Sequence, residues 1–261
     1  FKPGLAVITG RNFSSGGLAS SNMFEIIDIN DPKKPIVRKI IINNALAMKG
    51  VDISGNYLYV AVHNAGLKIY NIIDPANPIN VGNYDTPGAA YGVKVVGNYA
   101  YIADFTQGLR ILDISNPANP INVGFVDTPN GALDVDIDIG RNLAYVADNT
   151  ALKVIDITNK ATPVIVGSYT VAVLDVRVQG NTAYVASSGS GLTILNVATA
   201  SSPALLGTLP PSGGPNAKTI GVDVSGTRAY VANFDGGLGI IDVTNPATPA
   251  KMSSIAEWVE G

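Results

Sequence analysis

The stretch PANPINVG stands at Pro75–Gly82 and again, unchanged, at Pro117–Gly124, 42 residues further on. One nucleophile or one metal needs one set of ligands, so a phrase repeated at fixed spacing points to architecture rather than to chemistry. Around both copies the same grammar extends: an apolar-polar alternation, a Gly-Asn turn, AYVA or a relative, a Gly-Leu pair, a second alternation and a Pro-rich turn. Five units follow it. They open as GVDISGNYLYVAV at Gly50, GVKVVGNYAYIAD at Gly92, DVDIDIGRNLAYVAD at Asp134, DVRVQGNTAYVAS at Asp175 and GVDVSGTRAYVAN at Gly221. A sixth, partial unit leads the chain: LAVITG at Leu5–Gly10 stands where AYVADN stands elsewhere, and FEIIDINDPKKPIVRKI follows after an insertion.

Each unit holds four short β-branched and aromatic stretches separated by Gly, Asn, Asp and Pro, with no helical period to compete. Four strands per unit of about 42 residues predict an all-β fold, a six-bladed β-propeller of four-stranded antiparallel blades. We label the strands a to d from the centre outward. The first unit opens at strand b, so the first blade is expected to lack its innermost strand within this chain. The expected organisation is one domain over 1–261, with blades near 1–44, 45–87, 88–129, 130–171, 172–216 and 217–261.

Composition narrows the function. The chain has 261 residues, 46% hydrophobic and 14% charged, with a formal net charge of -3. No basic field gathers phosphates, so nucleic acid is not an expected partner. There is no cysteine and His63 is the single histidine. Thiolate chemistry and a multi-histidine metal site within one chain are thereby excluded. No apolar run approaches the roughly 20 residues that span a bilayer, and FKPGLAVITG is too short and too early broken for a signal peptide. No cofactor, metal site or catalytic residue is expected, since no base stands beside a nucleophile in a repeated setting and nothing marks one carboxylate pair over the others.

The motifs AYVAD, GLxIxDIS, NPxxP, VG and TPG, as in GLRILDISNPANPINVGFVDTP from Gly108, resemble the LVIVD-repeat propellers of bacterial and archaeal surface proteins. The resemblance covers nearly the whole chain. It implies a propeller, extracellular or at the cell surface, and carries over no catalytic residue. The expected role is non-catalytic protein interaction or structural assembly, with a protein partner or self-association; the strand that completes the first blade is expected from upstream sequence, from downstream sequence or from another subunit. The alternative is a carbohydrate- or cation-binding propeller, its small-molecule ligand unknown; a hydrolase or lyase is the third.

Two residue sets follow. The polar position of strand a reads Asp52, Lys94, Asp136, Arg177, Asp223, alternating in sign, which closes only for an even blade number and predicts Lys or Arg in the missing strand. This is read as a structural charge ring, and the triplet Asp134, Asp136, Asp138 as structural rather than a calcium ladder. The second set lies on the face carrying the b–c and d–a connections: His63, Asp104, Phe105, Asp148, Asn233, Phe234 and Asp235. Asp104, Asp148 and Asn233 share one repeat position and can equally cap their turns. The insertion Thr9–Met23 adds Arg11, Asn12 and Phe13 as partner-binding candidates, Asn12-Phe13-Ser14 being a glycosylation sequon. Trp258, the only tryptophan, is expected near the end of the last strand d.

Overall fold

The computed structural model describes residues 4–12, 21–43, 49–213, 217–234 and 236–255. Contacts divide it into two compact units, Phe1–Asp127 and Thr128–Gly261. The described residues contain no helix; they form six antiparallel sheets, the blades of a six-bladed β-propeller, three in each unit.

In the first unit, β1 (Leu5–Asn12), β2 (Ser21–Asp28) and β3 (Ile36–Asn43) form a three-stranded sheet. The second sheet has four strands, β4 (Val51–Ser54), β5 (Tyr57–Ala61), β6 (Leu67–Asn71) and β7 (Ile79–Tyr84). The third repeats it with β8 (Gly92–Val96), β9 (Tyr99–Ala103), β10 (Leu109–Asp113) and β11 (Ile121–Val126). Both faces of the second sheet are apolar because each packs on a neighbour. Tyr59, Ala61, Leu67 and Ile69 meet Val93, Val95, Ala100 and Ile102 of the third sheet, while Leu58, Val60 and Ile72 meet Leu5, Phe24 and Ile26 of the first. Alternate residues therefore serve alternate neighbours, which explains runs such as YLYVA.

In the second unit, β12 (Asp134–Asp138), β13 (Leu143–Asp156) and β14 (Val164–Val173) form the fourth sheet. The fifth is β15 (Asp175–Gln179), β16 (Thr182–Ser187), β17 (Gly191–Asn196) and β18 (Ala204–Leu209). The sixth is β19 (Thr219–Ser225), β20 (Arg228–Asn233), β21 (Gly237–Asp242) and β22 (Ala250–Ile255). The fourth sheet reaches the four-strand plan with three named strands because β13 doubles back. Its first half pairs with β12 and its second with β14, and Ile157 N donates to Asn142 O at 2.9 Å to join its two ends. The b–c connection there, Asp148-Asn149-Thr150, is shorter than its counterpart Asp104-Phe105-Thr106-Gln107, and Asn149 takes φ 52° at the reversal.

The duplicated octapeptide has a packing cause. In β7, Gly82 lies against the Pro117 carbonyl that opens the turn of the next copy, so closely that a Cβ would collide with it. Gly167 sits in the same way against Ala200, and Gly207 against Pro246. The glycine of one unit thus receives the proline turn of the next, and the two ends of the phrase must repeat together. Within the turn, Asp113 Oδ1 accepts from Ser115 N at 2.8 Å and Asn116 Oδ1 from Ala118 N at 3.1 Å. Asp156 and Asp242 repeat the first bond to Thr158 and Thr244, both at 2.8 Å. These bonds hold the Asp113, Asp156 and Asp242 carboxyls below their usual pKa.

One expected alignment is corrected. Leu5 pairs with Asp28 as Tyr99 pairs with Asp113, so LAVITG corresponds to YAYIAD, one residue earlier than the AYVADN match. The insertion lengthens a hairpin, β1 pairing with β2 as far as Asn12↔Ser21.

Candidate functional site

Strand a is the edge of each complete sheet, so half of its N–H groups lack a partner within the sheet. The strand-a carboxylates supply one from the preceding sheet. Asp52 Oδ2 accepts from Val95 N, and Asp136 Oδ2 from Val178 N, both at 2.8 Å. One pleat away, Asp134 accepts from Val176 N at 3.3 Å and Asp175 from Val222 N at 2.9 Å. Arg177 donates to Asp134 at 2.7 Å and to Asp175 at 2.8 Å. Burial and the neighbouring Asp134 charge push Asp175 well above the usual carboxylate range, while the shared guanidinium holds Asp134 below it.

The strand-a sign pattern changes this capping in a regular way. Lys94 and Arg177 cannot accept, so the N–H that follows each, Val95 or Val178, takes its acceptor from the preceding sheet. Asp223 follows a cation-bearing strand and caps its own neighbour, Val224 N, at 2.9 Å. Asp52 behaves like Asp223: its Oδ1 accepts from Ile53 N at 2.8 Å. Its Oδ2 is held by Val95, Lys94 lies close enough to stabilise its charge, and burial outweighs both and raises its pKa. The triplet is likewise engaged, since Asp138 pairs with Arg141 at 2.6 Å while Asp134 and Asp136 cap backbone.

The first sheet differs from the others at its edge. Among the described residues β1 pairs only with β2. Ile29 N donates to Gly4 O at 2.8 Å, and the register continues through Ala6↔Ile27 and Ile8↔Glu25. Antiparallel alternation therefore points the backbone N–H and C=O of Leu5, Val7 and Thr9 at the open side. Beside this edge runs a groove of about 270 Å³, with Leu5, Ala6, Val7 and Ile29 on one side and Val51, Asp52 and Ile53 on the other. Thr9 Oγ1 closes one end on Lys49 O at 2.6 Å.

On the b–c connections, Asp104 is fully buried; its Oδ2 accepts from Gly88 N at 3.1 Å and Arg110 Nε at 3.3 Å. Asp148 accepts from Asn130 N at 3.2 Å, and Asn233 from Thr219 Oγ1 at 2.8 Å. The first two tie a b–c turn to the d–a segment beside it, and the third ties the end of β20 to the start of β19. Phe234 is exposed at 57%. His63 and Phe105 both hold positive φ, at 37° and 42°, and their rings flank Tyr91 at centroid distances of 5.3 and 5.1 Å. Lys49 Nζ lies 5.1 Å from the Tyr91 ring centre. Sequence reasoning missed Tyr91 and Lys49 because they stand in the irregular d–a segment, outside the repeated phrase. It also missed Arg110, whose signal was a cation in the x of GLxI. Phe13, Asp235 and Trp258 lie outside the described residues; of Arg11 and Asn12 the backbone alone is described, at the end of β1. Among the described residues, no group of three or more His, Cys, Asp or Glu side chains could hold a metal ion.

Solved structures share the fold at low identity. A candidate 6-phosphogluconolactonase from Bacteroides uniformis superposes with TM-score 0.79 at 10% identity, covering 97% of this chain and 82% of that one. A hypothetical selenium-binding protein from Sulfolobus tokodaii gives 0.73 at 12%, covering 97% and 74%. The Cps50 (Swd1) β-propeller domain from Myceliophteria thermophila gives 0.69 at 12%, covering 96% and 88%. Among curated proteins none matches the chain in sequence. The LVIVD repeat matches five times, at residues 47–86, 87–128, 135–171, 172–209 and 217–256. These matches take in most of the chain and correspond to the second to sixth sheets, and on them the chain belongs to the LVIVD-repeat family of β-propellers.

Proposed function

We propose that this chain is a non-catalytic interaction module of the cell surface or extracellular space, which binds a protein partner by accepting an extended segment as the fourth strand of its first sheet. The observation that carries the reading is the edge of β1, open among the described residues, where backbone groups of Leu5, Val7 and Thr9 face an apolar groove. An unpaired edge beside apolar side chains is the arrangement that strand addition uses, backbone bonds supplying affinity and alternate pockets supplying selectivity. Asp104, Asp148 and Asn233, which could have formed an acidic rim, are buried and hold their own turns together, which supports a reading without acid-base chemistry.

Val7→Pro tests it. Proline at an edge removes an outward N–H and blocks a fourth strand while leaving the β1–β2 pairing intact. Extended peptides with alternating apolar residues are expected to bind the chain and not this variant, with both melting at similar temperature. Equal binding to both, or to neither, contradicts the reading. Protease accessibility on intact cells tests the location: surface exposure is expected, and full protection contradicts it.

One observation favours a second reading. The rings of His63 and Phe105 on b–c connections and of Tyr91 on a d–a segment, with Lys49 beside Tyr91, form an aromatic cluster of a kind that stacks on sugar rings. A glycan screen showing a hit that Tyr91→Ala removes would favour it, and a blank screen would set it aside.

A further inference from the structure

Asp52 carries information about what fills the groove. In both strands that hold a cation, the N–H after the cation is capped by the Asp of the preceding sheet: Val95 by Asp52, and Val178 by Asp136. In the strand that follows Arg177, Asp223 caps its own neighbour instead, because a guanidinium offers no lone pair. Asp52 faces the groove side of its sheet with this second arrangement, its Oδ1 already on Ile53 N at 2.8 Å. An acidic side chain arriving from the first sheet would find that donor taken and would set a carboxylate near Asp52. An apolar one would add nothing to the support that Lys94 already gives the Asp52 charge, whereas a basic one would set a second cation beside it.

Register names the residue concerned. Val7 corresponds to Tyr59, since Leu5↔Asp28 matches Tyr57↔Asn71, and Tyr59 pairs with Asp52. The residue of an added strand that lies opposite Val7 therefore takes the strand-a polar position. Its two flanks take the positions of Val51 and Ile53, which are apolar in the complete sheets of this unit, as Val93 and Val95 also are.

Resting on the strand-addition reading, we infer that the occupant is a segment of a partner polypeptide with Lys or Arg flanked by β-branched residues, its basic residue opposite Val7 and its charge set against Asp52. The sequence GVKVV of β8 is an example of this chemistry within the chain itself.

The test titrates the whole chain with a capped peptide copying residues 90–97, and with versions bearing Lys94→Asp and Lys94→Ala, following amide signals of Leu5, Val7 and Thr9. The Lys peptide is expected to bind ~10-fold tighter than the Asp peptide, and the gap to close in the Asp52→Asn chain. Equal binding of all three peptides overturns this inference and leaves strand addition standing. No binding by any peptide to a folded, monomeric chain overturns both. No peptide binding together with concentration-dependent self-association in sedimentation identifies a second copy as occupant, and overturns the partner named here.

Discussion

The first and second sheets are built on one plan and differ at both edges. In the second, β5 is covered by β4, and in β7 a glycine, Gly82, admits the proline turn of the next repeat. In the first, β1 has no fourth strand among the described residues, and the residue matching Gly82 is Lys39, exposed, by the shared register Ile26↔Lys39 and Ile69↔Gly82. Yet the middle of the first sheet is as buried as that of the second, Phe24 and Ile26 being fully inaccessible like Leu67 and Ile69. The packing that makes a blade and the pairing that finishes its edge are thus separate: here the first is present without the second.

The strongest way to break that contrast is to empty the centre of the first sheet. Phe24, packed edge-on against Tyr70 with ring centroids 5.3 Å apart, is expected to cost about 3–5 kcal/mol on Phe24→Ala in denaturant unfolding. A loss below about 1 kcal/mol would mean that the first sheet is only loosely attached to its neighbour. Next comes Gly82→Ala, which forces a methyl group onto the Pro117 carbonyl and should cost about 1–3 kcal/mol. Lys39→Ala, at the matching position, should leave the melting temperature nearly unchanged, and equal losses at the two would erase the difference between the outer edges.

The third effect is a pH dependence. Burial raises the folded-state pKa of Asp52, so the folded chain binds more protons than the unfolded one between the ordinary carboxylate range and that raised value. Its contribution favours folding at low pH and falls as pH rises through that window. A basic strand in the groove would lower this pKa, so strand binding should release protons and tighten as pH rises. Affinity that is flat from pH 4 to neutrality would contradict a role for Asp52. The smallest effect belongs to the exposed pair Arg38–Asp28 at 2.6 Å, where Arg38→Ala should leave the melting temperature nearly unchanged.

Much of the fold was legible because each repeat writes its strands in apolar residues and its turns in Gly, Asn and Pro, and the strand missing from the first sheet could be seen as a missing phrase. Two details were not. The match of LAVITG slipped by one residue, since it set Leu5 on the Ala of AYVA, whereas pairing register, invisible in sequence, aligns Leu5 with Tyr99 and Ala6 with Ala100. The acceptors for strand-edge N–H groups were also hidden, because backbone donors have no letter. The carboxylates Asp134 and Asp175 had a signal nonetheless, standing where Gly50, Gly92 and Gly221 stand elsewhere. At the candidate site, the sign alternation through Asp52 was visible. Its cause, a carboxylate capping the next N–H, required the structure.

Backbone amide exchange tests the central claim most directly. Leu5, Val7 and Thr9 should exchange quickly in the chain alone, while Tyr57, Tyr59 and Ala61, their counterparts in β5, remain protected by β4, and the peptide copying residues 90–97 should slow the first three. Protection of Leu5, Val7 and Thr9 in the chain alone, equal to that of β5, would show the edge already paired and would contradict the account.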